Sequence, residues 1–360
     1  MKTATIILVA AGIAAAGGTL IYQYATGDCA ACSGVGSAGD RRGGVVRTSS
    51  QPEQPAQSGE FQQVRRPGSV DLDAEYNLSN LDIPKDEIHT LLPRDAIPAL
   101  TDPKRRDSSD AKWLPSDARI IVVRVNDEVL GVPLAVLDWH EIVNTTVGGE
   151  PIAATYCPLC DSATVFNRRI ELPDEGEADP ASVVLEFGVS GALYNSNVLM
   201  YDRRDKGLWS QLGMHAVSGP LAGTALDMLP VEIISFTRFK AAHPKAQIVS
   251  NKTGHQRNYG QSPYESYFAR DGLMVPVKGV GDALPRKTLG VGVATDGRAW
   301  FVPESLCRDG YTLNTPAGEV RLTADDAGVR VVSAPEGVRT AQTFYYSWSA
   351  FYTGAKVMRE

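Results

Sequence analysis

The amino-acid sequence predicts an α+β domain that is rich in β-structure, with mainly antiparallel strands and a few short helices. Short apolar, β-branched runs recur between turn residues; Arg119–Val125 and Val129–Val132, for example, flank a hairpin turn at Asn126–Glu128. The chain lacks the regular alternation of strands and helices that doubly wound nucleotide-binding folds show, so that class is disfavoured. We expect the β-rich domain to occupy residues 71–360, as one core or two lobes.

The N-terminal segment is predicted to be a membrane helix that precedes the domain. Lys2 is followed by an uncharged, mostly apolar run from Ala4 to Tyr24, which is about long enough to cross a bilayer. A cleaved signal peptide over residues 1–27 is the alternative. Residues 28–70 are rich in Gly, Ser, Gln, Pro and Arg and predict a flexible tether. The domain is therefore expected outside the cytoplasm, in the periplasm or at the cell surface, anchored to the inner or cytoplasmic membrane.

The composition is that of a globular domain without a nucleic-acid footprint. Hydrophobic residues make up 43% of the chain, charged residues 21%, and the formal net charge is -7. Neither a long Lys/Arg run nor interleaved basic and aromatic residues occur in the sequence. The acidic balance disfavours nucleic acid as a partner.

Further elements follow from local patterns along the chain. Ser235 is a typical helix N-cap, because its hydroxyl can accept a hydrogen bond from the first helical turn, and it predicts a helix over Phe236–Ala242. The other predicted elements are a helix over Leu134–Asn144, strands over Ser182–Val189, Ala192–Tyr201 and Ala246–Ser250, and a helical turn over Pro263–Phe268.

The five cysteines fall into two close pairs and a singleton. Cys29 and Cys32 lie in the predicted tether, Cys157 and Cys160 in the domain, and Cys307 alone. Five are too few, and odd in number, for a disulfide scaffold, and Cys307 is predicted to be a small buried hydrophobe. Short predicted strands flank the Cys157–Cys160 pair, so its Cys-Pro-Leu-Cys spelling predicts a tight turn with both sulfurs on one side.

Metal binding is the first chemistry that this turn suggests. Two thiolates on a turn supply half of a tetrahedral zinc site. His140 or His215, together with Met214, could complete the set; thiolate, thioether and imidazole suit copper, which is therefore expected before zinc. Each histidine taken alone is more often a hydrogen-bonded structural residue than a ligand.

Two further chemistries remain open for the same pair. Cys157 and Cys160 could exchange between thiol and disulfide, although the flanks are predicted as strand rather than the helix that usually activates such a motif. They could also form a static disulfide in an oxidising compartment, as part of a structural or interaction module. Cys29 and Cys32 form a second thiol pair, which could exchange with the first.

Evidence for catalysis by other side chains is absent from the sequence. Residues 188–192 resemble a nucleophile elbow around Ser190, but the final glycine is displaced, so a hydrolase is disfavoured. Several polar residues could line a pocket: Asp161, Tyr201, Asp202, Arg203, Trp209 and Gln211. For Asp202 and Arg203 we prefer a strand end at which the two side chains pair with each other and with backbone groups.

Four phrases together resemble a widespread prokaryotic exported family that is defined only as a domain of unknown function. They are WHEIVN at 139–144, TYCPLC at 155–160, SGALYNSNVLMYDR at 190–203 and LWSQ at 208–211. The resemblance extends over about residues 80–350 and implies that the cysteine turn, His140 and the Tyr-Asp-Arg stretch share one domain. It implies no activity. Asp161 stands where that family usually has a small residue, and the Met214-His215 pair is particular to this chain.

Overall fold

The computed structural model describes residues 70–172 and 182–359. The predicted membrane helix and the tether, with Cys29 and Cys32, lie outside these residues. Among the described residues, no helix is long and apolar enough to cross a membrane.

The helices of the described part are few and short. The α-helices are α1 (Leu72–Glu75), α2 (Leu134–His140), α3 (Phe236–Ala242), α4 (Glu265–Phe268), α5 (Glu304–Cys307) and α6 (Tyr345–Phe351), and two 3-10 turns cover Lys85–Glu87 and Ser108–Asp110.

Strands carry most of the regular structure. The first twelve are β1 (His89–Thr90), β2 (Leu100–Thr101), β3 (Arg105–Asp107), β4 (Arg119–Val125), β5 (Glu128–Pro133), β6 (Ile142–Val147), β7 (Glu150–Cys157), β8 (Ser162–Asn167), β9 (Arg169–Glu171), β10 (Ser182–Val184), β11 (Phe187–Tyr194) and β12 (Asn197–Asp202). The remaining strands are β13 (Leu208–Ser210), β14 (His215–Ala216), β15 (Met228–Leu229), β16 (Glu232–Ser235), β17 (Gln247–Val249), β18 (Leu289–Thr295), β19 (Arg298–Pro303), β20 (Tyr311–Thr315), β21 (Gly318–Asp325), β22 (Gly328–Ser333), β23 (Arg339–Phe344) and β24 (Lys356–Val357).

These strands form one large central sheet and several smaller sheets. The central sheet has the order β2-β6-β7-β8-β23-β18-β19-β24, with β15 added beside β8. Two five-stranded sheets have the orders β16-β4-β5-β17-β3 and β1-β11-β12-β13-β14, and β20–β22 form a three-stranded sheet. Most pairs are antiparallel; β2–β6, β5–β17 and β19–β24 are parallel. The β-rich prediction is confirmed for this part of the chain.

The central sheet is buried on both faces, and this positions the cysteine turn. Because successive residues of a strand point to opposite faces, Ala154 packs in the cluster with Ile121 and Val132, whereas Ala153 packs with Met200 and Trp209 of the opposite layer. A strand buried on both faces needs the nearly continuous apolar run that β7 carries. The turn after β7 is therefore enclosed by neighbouring layers.

Three predicted elements differ from the structure. The helix predicted to reach Asn144 ends at His140, because Glu141 adopts a positive φ of 56° and the following residues pair with β7 as β6. The predicted strand Ser182–Val189 is split between β10 and β11. The predicted strand Ala192–Tyr201 turns back at Asn195 and Ser196, both at positive φ, to form the β11–β12 hairpin.

The helix predicted from Ser235 is confirmed. It covers Phe236–Ala242 as α3, and the Ser235 hydroxyl accepts a hydrogen bond from the backbone N–H of Arg238 at 3.3 Å. The Arg119–Val125 hairpin is also confirmed as β4 and β5, with Asn126 at a positive φ in the connecting turn.

Candidate dithiol site

Cys157 and Cys160 lie at the two ends of a tight turn between β7 and β8. The strands pair as far as Cys157 opposite Ser162, and the Cys160 N–H donates to the Cys157 carbonyl at 3.1 Å. A four-residue turn of this kind brings its first and last Cα atoms within about 7 Å, which is the upper limit for a disulfide. The predicted turn is confirmed, and its geometry is compatible with a bridge between the two sulfurs.

Asp161 fixes the end of this turn to a neighbouring sheet. Its backbone has a φ of 46°, a conformation in which a glycine carries no steric cost. Its carboxylate accepts two hydrogen bonds from Arg119 Nη1, at 2.8 and 3.1 Å, and one from the Tyr156 hydroxyl at 2.9 Å. These charge-assisted bonds join the turn to β4, so Asp161 is a structural side chain and does not line an open pocket.

The two thiols are buried under an irregular part of the chain. Cys157 is 1% exposed and Cys160 0%, and neither forms a disulfide in the structure. Tyr264, Tyr267 and Val275 pack over them in one apolar cluster. These three belong to residues 250–288, here called the cover segment, in which α4 is the one helix and no strand occurs.

Two hydroxyl groups from α6 lie beside the Cys160 sulfur. From α6, the Ser347 hydroxyl donates to Sγ at 3.2 Å and the Tyr346 hydroxyl lies 3.4 Å away. Tyr346 also donates to the Leu159 carbonyl, which receives a second hydrogen bond from Tyr267. Tyr346 can therefore turn its proton toward the sulfur without leaving that carbonyl unpaired.

The protonated form of Cys160 has a partner of its own. The Cys160 thiol donates to the Ser196 carbonyl, 3.0 Å away in the β11–β12 hairpin. The sulfur therefore has an acceptor for its thiol form and donors for its thiolate form, and it is placed to alternate between them.

The pKa values of the two thiols are driven apart. Burial raises the pKa of Cys157 well above its ordinary value, and so does its hydrogen bond to Cys160. Burial acts in the same direction on Cys160, but hydrogen bonds from Cys157, Ser347 and Tyr346 outweigh it and hold the pKa of Cys160 below the ordinary value. Cys157 thus keeps its proton while Cys160 is the more acidic of the pair, and the thiolate is the nucleophilic form.

Two carboxyl groups at the end of α2 lie in the same electrostatic environment. Burial raises the pKa of Glu141 to about 8, with the negative charge of Cys160 and that of Asp138 acting in the same direction. Burial also raises the pKa of Asp138 to about 7, against a hydrogen bond from Ser262 and the charge of Arg119. Both groups can exchange protons near neutral pH.

A fully buried polar network supports the turn from below. Gln211 donates to the Thr155 hydroxyl at 2.9 Å and accepts from Ser162 at 2.7 Å and from Asn197 at 2.8 Å. Asn197 directly follows Ser196 in the hairpin that contacts Cys160. Buried polar groups are stable when all are paired, so Gln211, predicted to line a pocket, instead fixes the position of the β12 hairpin against the turn.

The predicted metal ligands of the described residues are not brought together. No three His, Cys, Asp or Glu side chains of residues 70–172 and 182–359 lie where they could share a metal ion. His140 is buried with both ring nitrogens bonded, to the Pro98 carbonyl at 2.7 Å and the Tyr259 hydroxyl at 2.8 Å, and burial lowers its pKa to about 4. It is a structural histidine.

Met214 and His215 lie elsewhere. Met214 is buried in the core cluster that contains Trp209 and Leu212. The His215 ring bonds the Asp82 carboxylate and the Gly213 carbonyl, each at 3.0 Å. Neither residue packs in the apolar cluster that holds the two cysteines.

The remaining pocket candidates are also bonded within the fold. Asp202 accepts hydrogen bonds from the indole of Trp209 at 2.9 Å and from the Asp205 N–H at 2.6 Å. Arg203 pairs with Asp95 at 2.9 Å and with Glu186 at 2.9 Å, and the Tyr201 hydroxyl also bonds Asp95. The expectation that Asp202 and Arg203 pair with each other is wrong, because β12 ends there and the two side chains reach different partners.

Sequence reasoning missed the residues that tune the thiols. Ser347 and Tyr346 lie far from the cysteines along the chain. The pairing of β23 with β8, at Gln342 and Ala163, and the hydrogen bond from the Phe344 N–H to the Cys160 carbonyl at 2.8 Å bring α6 to the turn. Glu141 lies in the WHEIVN phrase next to His140, and only His140 was predicted as a site residue. Glu141 had no separate signal in the sequence, because the predicted helix over Leu134–Asn144 included it.

The fold and the site define a β-rich domain built around a buried dithiol turn. A family model described as a protein of unknown function, DUF3179, matches residues 94–348, and the chain belongs to that family. The resemblance seen in the sequence is thereby confirmed. No curated protein and no solved structure matches the chain.

Proposed function

We propose that this protein is a thiol–disulfide redox protein that uses Cys157 and Cys160. The observation that carries the proposal is the asymmetry of the pair: hydrogen-bond donors converge on the Cys160 sulfur while Cys157 keeps its proton. A dithiol with one acidic member is the arrangement from which disulfide exchange starts.

The reaction transfers two electrons from the pair to a disulfide. The Cys160 thiolate attacks one sulfur of the substrate disulfide and expels the other as a thiolate, which leaves a mixed disulfide at Cys160. Cys157 then loses its proton and attacks Cys160 Sγ, expelling the second substrate thiolate. The products are a Cys157–Cys160 disulfide and two substrate thiols, and the reverse sequence reduces the pair.

Access to the sulfurs depends on the cover segment. Residues 250–288 add no strand to any sheet, and a segment of this kind opens at lower free-energy cost than a sheet does. It is bonded to the rest of the fold by the Tyr267–Leu159 hydrogen bond and by the Tyr259 hydroxyl, 2.8 Å from His140 Nε2. Within the segment, the Lys287 ammonium bonds the carbonyls of Tyr267 and Arg270. Its opening sets the rate at which a bulky disulfide can react.

Reversible oxidation under native conditions tests the proposal. The full-length protein in detergent, with Cys29 and Cys32 replaced by serine, is equilibrated in glutathione buffers of graded potential, and its disulfides are mapped by mass spectrometry. We expect a Cys157–Cys160 disulfide that forms and is reduced reversibly, while Cys307 stays a thiol. Oxidation that occurs only after denaturation would overturn the proposal.

Copper(I) binding by the same pair is a second candidate. The observation that favours it is two sulfurs in an apolar cluster against which the thioether-bearing Met274 also packs, because soft thiolate and thioether ligands select copper(I). Zinc, which takes four ligands, is less well served by the described residues. In a competition titration with a copper(I) chelator, we expect the protein to bind one equivalent of copper(I) and the Cys157→Ser variant to bind none. If the wild-type protein binds no copper(I), this candidate function is wrong.

We also propose that the domain is tethered to a membrane and lies outside the cytoplasm. The apolar run from Ala4 to Tyr24 and the polar stretch after it support this. Protease added to intact spheroplasts is expected to digest the domain, and complete protection of the domain would contradict the assignment.

A further inference from the structure

The Glu141 side chain is a largely buried carboxyl group at the end of α2. It is 8% exposed, and among the described residues its side chain has no hydrogen-bond or ion-pair partner. A buried unpartnered carboxyl group costs free energy, so its presence at this position calls for a role in chemistry.

The backbone at Glu141 adopts a strained conformation next to the cysteine turn. Glu141 ends α2 at a φ of 56°, in the left-handed region that non-glycine residues seldom adopt. Its carbonyl accepts the N–H of Tyr156, the neighbour of Cys157, at 2.8 Å, and Ile142 begins β6 opposite Thr155. Strained backbone of this kind persists where surrounding structure holds it, often at functional sites.

The groups that face Glu141 come from three elements. Cys157 and Cys160 interact with it electrostatically from the β7–β8 turn, Asp138 from α2, and Tyr264 from the cover segment. Arg119 and Asp161 act on Asp138 and are not among the groups that shift the pKa of Glu141. The described surroundings thus place two thiols, a second carboxyl and a phenol against Glu141, and no cation is among its strong partners.

We propose that Glu141 is the proton acceptor and donor of the dithiol pair. In oxidation, the Cys157 proton passes to the Glu141 carboxylate as Cys157 Sγ attacks the mixed disulfide at Cys160. In reduction, the Glu141 carboxyl group returns this proton to Cys157 as its thiolate leaves. This role rests on the redox function proposed above, with a glutathione-type disulfide as the oxidant.

The chemistry of the two steps explains why the carboxyl group is needed. Cys160 can attack as a thiolate that its hydrogen bonds already favour, whereas burial leaves Cys157 strongly protonated. A base is therefore required only for the second step. Since Glu141 has a pKa near 8, it is closer to the operating pH than an ordinary carboxyl group and can both take and return a proton.

The decisive variant is Glu141→Gln, which keeps the shape and removes the titration. After rapid mixing with glutathione disulfide, we expect a mixed disulfide at Cys160 to accumulate in this variant, with closure slowed about tenfold or more. The wild-type chain closes without accumulation. In a Cys157→Ser background, Glu141→Gln is expected to leave the rate of mixed-disulfide formation unchanged, because that step needs no base.

The matched control is Asp138→Asn, which removes the neighbouring carboxyl group. The closure rate of the wild-type chain is expected to rise with pH through an inflection below pH 8, because the mixed disulfide removes the Cys160 charge that raises the pKa of Glu141. Asp138→Asn is expected to keep an inflection, moved to lower pH because Asp138 also raises the pKa of Glu141, and Glu141→Gln is expected to lose it. Closure in Glu141→Gln that matches the wild-type rate and pH profile would overturn the proposal.

A second measurement needs no variant and covers a failure of Glu141→Gln to fold. Because the Cys160 charge raises the pKa of Glu141, forming the disulfide removes that charge and lowers it. The infrared difference spectrum between dithiol and disulfide forms near pH 7.5 is expected to show loss of a protonated carboxyl band, and a spectrum without that band would overturn the proposal. If the wild-type chain forms no Cys157–Cys160 disulfide at all, the redox function itself fails, which is a distinguishable outcome.

Discussion

Cys160 and Cys307 are both fully buried cysteines, yet their surroundings give them opposite chemistry. Cys307 ends α5 inside an apolar cluster with Val293, Val302 and Leu313, and its thiol donates a weak hydrogen bond to the Pro303 carbonyl at 3.6 Å. Burial raises its pKa to about 12. Cys160 is equally buried, but its hydrogen-bond donors reverse the effect of burial.

The difference shows that burial alone does not decide whether a thiol is reactive. Desolvation disfavours the charged form of both cysteines. What distinguishes Cys160 is hydrogen bonding from a second cysteine and from the hydroxyl groups of Ser347 and Tyr346 of α6. Cys307 lies in an apolar cluster, and the nearby Glu304 charge raises its pKa further, so it stays a packing residue as the sequence predicted.

The largest contrast is expected in oxidation itself. Replacing either Cys157 or Cys160 by alanine should abolish the intramolecular disulfide, because each sulfur has no other cysteine on its turn. Cys307→Ala should leave disulfide formation unchanged. The check is mass-spectrometric mapping after equilibration in glutathione buffer, and a mixed Cys160–Cys307 disulfide would break the comparison.

The next effect is a pH dependence of stability that belongs to the dithiol region. The pKa of Glu141 is raised from 4.5 to about 8, so between these values the folded state holds a proton that the unfolded state has lost. Stability should therefore fall as pH rises from about 5 to 8, by about 2–4 kcal/mol. Asp138, with a pKa near 7, adds to the same slope.

Urea unfolding at several pH values measures this slope. Glu141→Gln should flatten it, leaving the part that Asp138 supplies, whereas Cys307→Ala should leave the slope as in the wild type. A Glu141→Gln variant with the full wild-type slope would show that this carboxyl group is not the source.

Breaking an ion pair near Cys160 should lower the free energy of unfolding more than breaking one near Cys307. Asp161→Ala leaves Arg119 and Tyr156 without their acceptor, and we expect a loss of about 2–3 kcal/mol, below the usual range for a buried pair because Arg119 is partly exposed. Glu304→Ala, beside Cys307, breaks an exposed pair with Arg308 and should cost about 0.5 kcal/mol or less. Equal losses in denaturant unfolding would contradict the assigned role of Asp161.

The smallest expected effect isolates one hydrogen bond. Ser347→Ala removes a donor to the Cys160 thiolate, so the pKa of Cys160 should rise. Because a hydrogen bond to a charged group contributes about 1.5 kcal/mol or more, the thiolate fraction near neutral pH should fall about tenfold. Ser349→Ala on the same helix is the control. The measurement is thiolate absorbance near 240 nm, with Cys160→Ser as the baseline. Equal thiolate absorbance in Ser347→Ala and Ser349→Ala would refute the role of Ser347.

Local sequence was sufficient for the elements whose signals are local. The Cys-Pro-Leu-Cys turn lies between two β-branched runs, and Ser235 caps α3 as its residue type predicts. The boundary of α2 could not be found this way, because Ile142 to Asn144 continue an acceptable helix pattern. Pairing of these residues with β7 overrides that preference, and Glu141 takes the strained conformation that results.

Only part of the site could be predicted from the sequence, because its remaining groups are brought together by long-range strand pairing. The two cysteines are separated by only two residues in the sequence, so their turn could be predicted. The groups that set their pKa values come from the end of α2, from α6 and from β12, and no spacing in the sequence links Ser347 to Cys160. His140 and Met214 were predicted as soft-metal ligands because the sequence gives the residue type. It does not show that both side chains are packed away from the cysteines.

The central claim is that Cys160 is an acidic thiol in the folded protein and Cys307 is not. Selective ¹³Cβ labelling of cysteine, followed by NMR across a pH titration of the reduced full-length protein with Cys29 and Cys32 replaced by serine, measures both residues in one sample without requiring reagent access. The account predicts that the Cys160 signal moves to its thiolate position below the pH at which an ordinary thiol ionises, while the Cys307 signal stays at its thiol position up to about pH 12 or the unfolding transition. Co-titration of Cys160 and Cys307, or ionisation of Cys160 only above the ordinary thiol range, would contradict it.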